Sequence, residues 1–343
     1  MSRRAARWGM VAAAVAIAVV PLPSRLIERW YSGGVYPHLQ RVLTSFSNLF
    51  PFALFDVLCL AAVSAFAVAA TRDFRTRGTL AGARRLVGRL VVWAAAVYVA
   101  FLAAWGLNYR RVPLEDKLAF DRGRVTPEAA DALAARAIAS LNRLYAPAHR
   151  APTPIGSLTR AFHDVDAALG APVPIVPARP KQTLLGGYFH QAAISGMTDP
   201  FFLETLLSPD LLEVEKPFVI AHEWGHLAGY ADESEANYVG WLTCQQGDEA
   251  AQYSAWLEVL GTLQPFLPRG RPLGGLDIGP RIDLEAMRIR YERTSPIVRA
   301  AARDTYDTYL RANRVEQGIA SYDLVVQLIL GVELDADGHP RRR

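Results

Sequence analysis

Cysteine is almost missing from this chain: two residues in 343, Cys59 and Cys244. Cys59 falls inside a long apolar run and Cys244 on a predicted helix far along the chain. Neither a disulfide framework nor a cysteine metal cluster is therefore available, and a metal would depend on histidine and carboxylate. A glycine-rich phosphate loop, an internal repeat and a long low-complexity tract are also lacking, which removes P-loop nucleotide chemistry and repeat architectures. Strand-like alternation is scarce. A large basic excess is lacking too: the net charge of +4 is smaller than the six arginines of one short segment, so nothing argues for nucleic acid as a partner.

What the chain does have is apolar residues gathered in its first third. Residues 10–22 are short and alanine-rich, 52–71 carry only Asp56, and 90–107 carry no charge. The last two approach the roughly 20 residues that span a bilayer, and three N-terminal transmembrane helices are expected. Arg3, Arg4 and Arg7 give the first segment the basic start of a signal peptide. No small-residue cleavage site follows at Pro21-Leu22-Pro23, so an uncleaved anchor is expected. Arg72, Arg75, Arg77, Arg84, Arg85 and Arg89 lie between the second and third spans, against Arg25, Arg29 and Arg41 in the longer first loop. The arginine-rich loop should face the cytoplasm and the chain after Leu107 the outside. A multi-pass protein of the inner or plasma membrane follows, with anionic lipid as a partner. Residues 31–51 are amphipathic with scattered aromatics. They are expected to form a loop packed on the outer domain, the alternative being an interfacial segment.

The most specific pattern is His222-Glu223-Trp224-Gly225-His226. Two histidines four apart on a helix project from one face and can grip one metal ion, while the glutamate between them reaches a water on that metal. Zinc held in this way lowers the pKa of its water to about 7 and needs a carboxylate to take the proton, a role that falls to Glu223. The flanks Phe218-Val219-Ile220-Ala221 and Leu227-Ala228-Gly229 are uncharged, as in a buried helix whose polar side chains serve a metal. The bland reading is a buried helix with two hydrogen-bonded core histidines. Pro217 suits the first helical turn and Gly229 the left-handed position past its end.

Catalytic zinc usually takes three protein ligands. After Gly229 the chain reads Tyr230-Ala231-Asp232-Glu233-Ser234-Glu235-Ala236-Asn237. Asp232 and Glu235 have the form of an N-cap and its reciprocal partner, which leaves Glu233 on the first turn of a second helix as the expected third ligand. Asp232 also fits a known spacing, three residues past the glycine. Asn237, one turn on, is expected to orient Glu233 or a histidine.

Glu233-Ser234-Glu235-Ala236-Asn237 resembles the glutamate-bearing helix of gluzincin-type membrane metallopeptidases, whose pattern is Glu-x-Glu-Ala-Asp with the first Glu on zinc. Here Asn237 stands in the aspartate's place. More broadly, the chain resembles an uncharacterised bacterial family of membrane-anchored zinc peptidases known as domain of unknown function 3810. The matching pieces are Trp105-Gly106-Leu107-Asn108-Tyr109, Ser195-Gly196-Met197-Thr198-Asp199-Pro200-Phe201-Phe202, the block from His222 to Asn237, and Gly318-Ile319-Ala320-Ser321-Tyr322. The resemblance implies a Zn2+ site on His222, His226 and Glu233 but does not supply a substrate.

From Arg110 onward the chain can build one sizeable core. Thr126-Pro127-Glu128 has the form of a helix start, running to about Tyr145. Further helical spacing covers 157–169, the metal pair of helices, 249–263, 283–292, 297–312 and 320–330. The fold class expected is mostly α: three membrane helices, then a mainly helical zincin-like domain with a small β element. The domains are an anchor over 1–109, an extracytoplasmic domain over 110–334, and a disordered tail over 335–343. Strand candidates lie at 172–176 and 183–195. They form either an edge that pairs with extended substrate or an ordinary connecting hairpin. Tyr306, Tyr309 and Tyr322 are candidate oxyanion donors that could equally be core tyrosines. His190 is set aside as a surface or core residue. The expected function is a membrane-anchored zinc metallopeptidase acting on a peptide or protein substrate, with Glu223 as general base. The alternatives are a catalytically silent envelope sensor or scaffold, and a zinc amidase of cell-wall peptides.

Overall fold

A computed structural model describes residues 3–263, 274–313 and 325–343. Two helices, Leu54–Arg77 and Thr79–Ala104, are long and apolar enough to cross a membrane. Only Gly78 separates them, at φ +73°, a conformation open to glycine because it has no Cβ. The arginine-rich stretch expected to be a loop is therefore helical. It closes the hairpin through Asp73, which meets Arg85 at 3.5 Å and Arg89 at 3.1 Å. The N-terminal helix Arg3–Val19 packs on Thr79–Ala104. Its apolar part, Trp8–Val19, makes a third crossing only if joined to Ser24–Ser47, against which it is bent by 116°.

The loop expected over 31–51 is instead largely helix. A π-wound stretch, Glu28–Val35, runs straight into the α-helix Tyr36–Ser47. The reason is a buried face of Tyr31, Tyr36, Gln40, Thr44 and Ser47, of which Tyr36, Gln40 and Thr44 find partners in the later part of the chain and Tyr31 donates to Ala103 O at 3.0 Å. Tyr36 donates to Leu227 O at 2.8 Å, Gln40 to Val176 O at 2.8 Å and Thr44 to Leu203 O at 2.9 Å. Packing on the outer domain is as expected, but a loop would have left those groups without fixed geometry.

The part that follows the apolar helices is mostly helical. Thr126 caps Pro127–Ala148 by accepting from Ala129 N–H at 3.2 Å. Leu133, Ala137, Leu141 and Leu144 of that helix join Tyr253, Leu257 and Leu260 of Glu249–Leu263 in one core. Ile155–Ala168 and Pro296–Ala312 match the expected spans closely and Ile278–Glu292 begins five residues before the expected start; of the span expected over 320–330, residues 320–324 lie outside the described residues and Val325–Gly331 is helix. The same core takes in Ile27, Tyr36, Phe101 and Trp105, so it runs unbroken across the boundary drawn at residues 109 and 110.

The small sheet is not where alternation suggested. Its strands are β1 (Pro180–Lys181), β2 (Gly196–Thr198) and β3 (Thr205–Leu207), in the order β1-β3-β2, with β1 parallel and β2 antiparallel to β3. Residues 172–176 are not a strand, and most of 183–195 is the helix Gly186–Ala192, ended by Ala193 in a left-handed conformation. The glycines at 186 and 187 open that helix rather than punctuating a hairpin. Residues 335–343, expected to fray, are folded back: Leu334 bridges Pro340 and Leu118 bridges Arg342. Ala119 N–H donates to Arg341 O at 2.8 Å, and Gly338 at φ +81° makes the turn.

The sheet and the second apolar helix are tied together. Glu204 beside β3 accepts from Leu54 N–H at 3.0 Å and Phe55 N–H at 2.9 Å, satisfying two of the orphan donors at that helix's start. Buried Lys181 balances its charge at 2.6 Å and also donates to Ser47 O at 2.6 Å.

Candidate metal centre

The helix carrying the histidines is Lys216–Leu227, with Pro217 in its first turn. It ends in a reversal set by Gly229 at φ +82°. Tyr230 N–H bonds to Gly225 O at 3.1 Å and Gly229 N–H to His226 O at 2.9 Å, the paired bonds of a Schellman end. That reversal delivers the Tyr230 carbonyl to His226, whose Nδ1 lies 2.8 Å from it. A carbonyl accepts only, so Nδ1 donates to it, and Nε2 is the ring nitrogen turned toward Glu233.

The next helix, Glu233–Gln245, crosses the first at close range. A Cβ on Gly225 would meet Ala236 backbone at 3.2 Å, and one on Gly240 would meet His222 N at 3.0 Å. Two glycines thus permit the approach that brings Glu233 to the histidines. Its Oε2 lies 3.4 Å from His222 Nε2 and 3.6 Å from His226 Nε2. Donor atoms of His222, His226 and Glu233 all fall within 4.8 Å of one another. Glu233 is 3 % exposed, and its Oε2 has no hydrogen-bond partner among the described residues. A buried carboxylate oxygen turned onto two imidazole nitrogens is a set of donors that could hold a metal ion.

Asp232 takes the capping role expected of it: its Oδ1 accepts from Ser234 N–H at 2.9 Å and from the Ser234 hydroxyl. Glu235 does not return the favour. It reaches back to accept Leu114 N–H at 2.5 Å, starting the short helix Leu114–Lys117. Asn237 is buried, and among the described residues no hydrogen bond joins it to Glu233 or to either histidine. The residue that does bond Glu233 is Tyr306, from Pro296–Ala312, whose hydroxyl donates to Oε1. Tyr309 stacks on Tyr306 at 5.8 Å and packs against Phe101 and Tyr109. Tyr322 lies outside the described residues. His190 pairs with Asp210 at 2.7 Å, and Asp210 is also bound to Ser208.

Glu223 is 3 % exposed and sits beside the edge strand β2. Thr198 donates toward its Oε2 at 2.8 Å. A Cβ on Gly196 would come within 2.7 Å of Glu223 Oε1, so the strand can lie against this carboxylate only where a side chain is missing. Burial raises the Glu223 carboxyl above the usual range, with the two histidines and Thr198 opposing. Burial would lift Glu233 as well, but the adjoining histidines outweigh it and hold that carboxyl well below the usual range. Desolvation pulls His226 down while the Glu233 charge carries it up to about 9. The two carboxylates are thereby pushed in opposite directions.

Nothing local in the sequence signals Thr198, Gly196 or Trp105 as neighbours of the motif. Trp105, one residue past Thr79–Ala104, donates its Nε1–H to His226 O at 2.9 Å. Each reaches the site only through tertiary packing.

Fold and site together describe a mostly helical protein, with helices fit to cross a bilayer and a buried His-His-Glu cluster at the end of one of them. The chain belongs to the family described as protein of unknown function, DUF3810, whose model matches residues 31–330. No curated protein and no solved structure matches it.

Proposed function

We propose that this protein is a membrane-anchored zinc metallopeptidase of gluzincin-like design, with its site outside the cytoplasm. The observation that carries the reading is Glu233 Oε2 facing both histidine Nε2 atoms, with the Glu223 carboxylate buried next to His222 on the same helix. Zinc, when bound there, would supply Lewis acidity toward a carbonyl and acidify water at neutral pH. His222, His226 and Glu233 would hold it. Glu223 would take a proton and return it to the leaving amine, a role supported by its raised pKa. Thr198 would hold that carboxylate in place. An extended peptide could pair with the outer edge of β2, which lies beside Glu223. The six arginines at the Gly78 end of the hairpin support placing that end in the cytoplasm.

The test is metal analysis and peptide hydrolysis on the purified full-length protein. Wild type should carry zinc and cleave unstructured polypeptide. Glu223→Gln should keep the zinc and lose turnover by roughly two to four powers of ten. Zinc-free wild type after zinc-replete preparation, or full activity in Glu223→Gln, would overturn the reading. For orientation, reporters fused after Trp105 and near Arg77 should score on opposite sides, the first outside.

A further inference from the structure

Ser24–Ser47 has two unlike faces. The inward one carries Ile27, Tyr31, Tyr36, Gln40 and Thr44. The outward one leaves Trp30 at 64 % exposure, Val42 at 67 % and Phe46 at 48 %, and Leu49 and Phe52 continue it toward Leu54–Arg77. Arg25, Arg29 and Arg41 are exposed among these apolar groups. The one acid of this helix, Glu28, turns inward to Arg111 and Lys117 at 3.0 Å each. An outward face of aromatic, aliphatic and arginine side chains with no free acid is the composition of a helix lying in a headgroup layer.

A second part of the molecule reaches the same level. Asp56, in the first turn of Leu54–Arg77, accepts from Thr183 Oγ1 at 2.6 Å and from Leu184 N–H at 2.8 Å. Leu184 is thereby fixed beside the start of an apolar helix, 74 % exposed, with Tyr188 one turn on at 48 %. The axis of Ser24–Ser47 is bent by 116° from that of Trp8–Val19, so the two do not run on as one straight helix.

We propose that the outward face of Ser24–Ser47, together with Leu184 and Tyr188, lies in the headgroup layer of an anionic bilayer. Continuity with the apolar helix at Leu54 puts lipid, rather than water, next to this face. Charge selects lipid over a second copy of the chain: a two-fold contact would set three arginines against three arginines, whereas anionic headgroups attract each of them. The face is a fixed collar at the surface, held from behind by the outer domain.

The test uses the full-length chain in vesicles of phosphatidylcholine with phosphatidylglycerol. An environment-sensitive fluorophore is placed singly at Val42→Cys, Phe46→Cys and Leu184→Cys, with Cys59 and Cys244 replaced by alanine. Brominated acyl chains should quench each label about twofold or more, and aqueous iodide should have little access. Quenching by iodide but not by bromolipid would place the face in water and overturn the proposal. Protection from both quenchers would mean that protein covers it, a second copy included, and would also overturn it. The readout does not depend on zinc or on hydrolysis.

Discussion

The Tyr306 hydroxyl donates a hydrogen bond to Glu233 Oε1 across 73 residues of chain, leaving Oε2 directed at the two histidines. One oxygen is held by a neutral donor while the other stays free for a cation, so the helix Pro296–Ala312 sets how the carboxylate is presented. Tyr306→Phe should therefore keep the fold and weaken zinc affinity by roughly 10- to 100-fold, the usual range for groups that orient a metal ligand. Competition with a chelator of known affinity measures it. An unchanged affinity would mean that Glu233 is positioned without this bond.

The two neighbouring acids should separate cleanly. Glu233→Ala should lose most bound zinc, because it removes the carboxylate nearest both imidazoles. Asp232→Asn should cost less than about 1 kcal/mol in stability and leave zinc content alone, since asparagine caps nearly as well as aspartate. Zinc content and thermal unfolding of the two variants are the readouts. Zinc loss in Asp232→Asn with retention in Glu233→Ala would reverse the assignment.

Gly196→Ala probes the base without touching a ligand. The new methyl would fall 2.7 Å from Glu223 Oε1 and 2.9 Å from Val219 Cγ1, so the carboxylate must swing away. Zinc content should stay at the wild-type level while peptide hydrolysis falls by about tenfold or more, as expected when a general base leaves reach of its proton. Undiminished turnover would show that Glu223 tolerates the displacement.

Much of this site was legible before any coordinates. The helix over Lys216–Leu227, its proline start, its glycine end and the Asp232 cap are local signals, and local signals survive folding. The place of Glu233 beside the histidines follows from the Asp232 cap, which puts it on the first helical turn. Glu235 departs from the capping-box pattern because that pattern competes with tertiary partners, here Leu114 N–H. The helix at Tyr36–Ser47 was hidden because its buried face is built from Gln40, Thr44 and Ser47. Those side chains read as polar surface until their acceptors, contributed by residues far along the chain, are known. The β strands escaped because two or three residues carry no measurable period.

Asp166 gives a pH signature away from the histidine cluster. Burial pushes its carboxyl up to about 6, against an Ile175 N–H bond and the Arg111 charge. The folded state thus holds a proton that the unfolded chain releases near pH 4, and stability falls as pH rises from about 4 to about 6, by roughly 2–3 kcal/mol. Asp166→Asn should abolish that component and melt higher than wild type at pH 7.5. Unfolding temperatures across this range are the check, and parallel curves for the two proteins would refute the assignment.

The carbonyls that end the histidine helix take donors from earlier in the chain: His226 O from Trp105 beside its bond to Gly229, Leu227 O from Tyr36 and Ala228 O from Arg111. Unfolding is therefore shared between the lipid-facing and water-facing parts of the chain. A fragment cut free of its anchor would lose the Trp105 and Tyr36 donors, and the turn that positions Tyr230 against His226 would exchange its amide protons as readily as a frayed end. Solubilising conditions that loosen the apolar hairpin should thus be felt first at His222, His226 and Glu233, before the distant helices of the domain register any change.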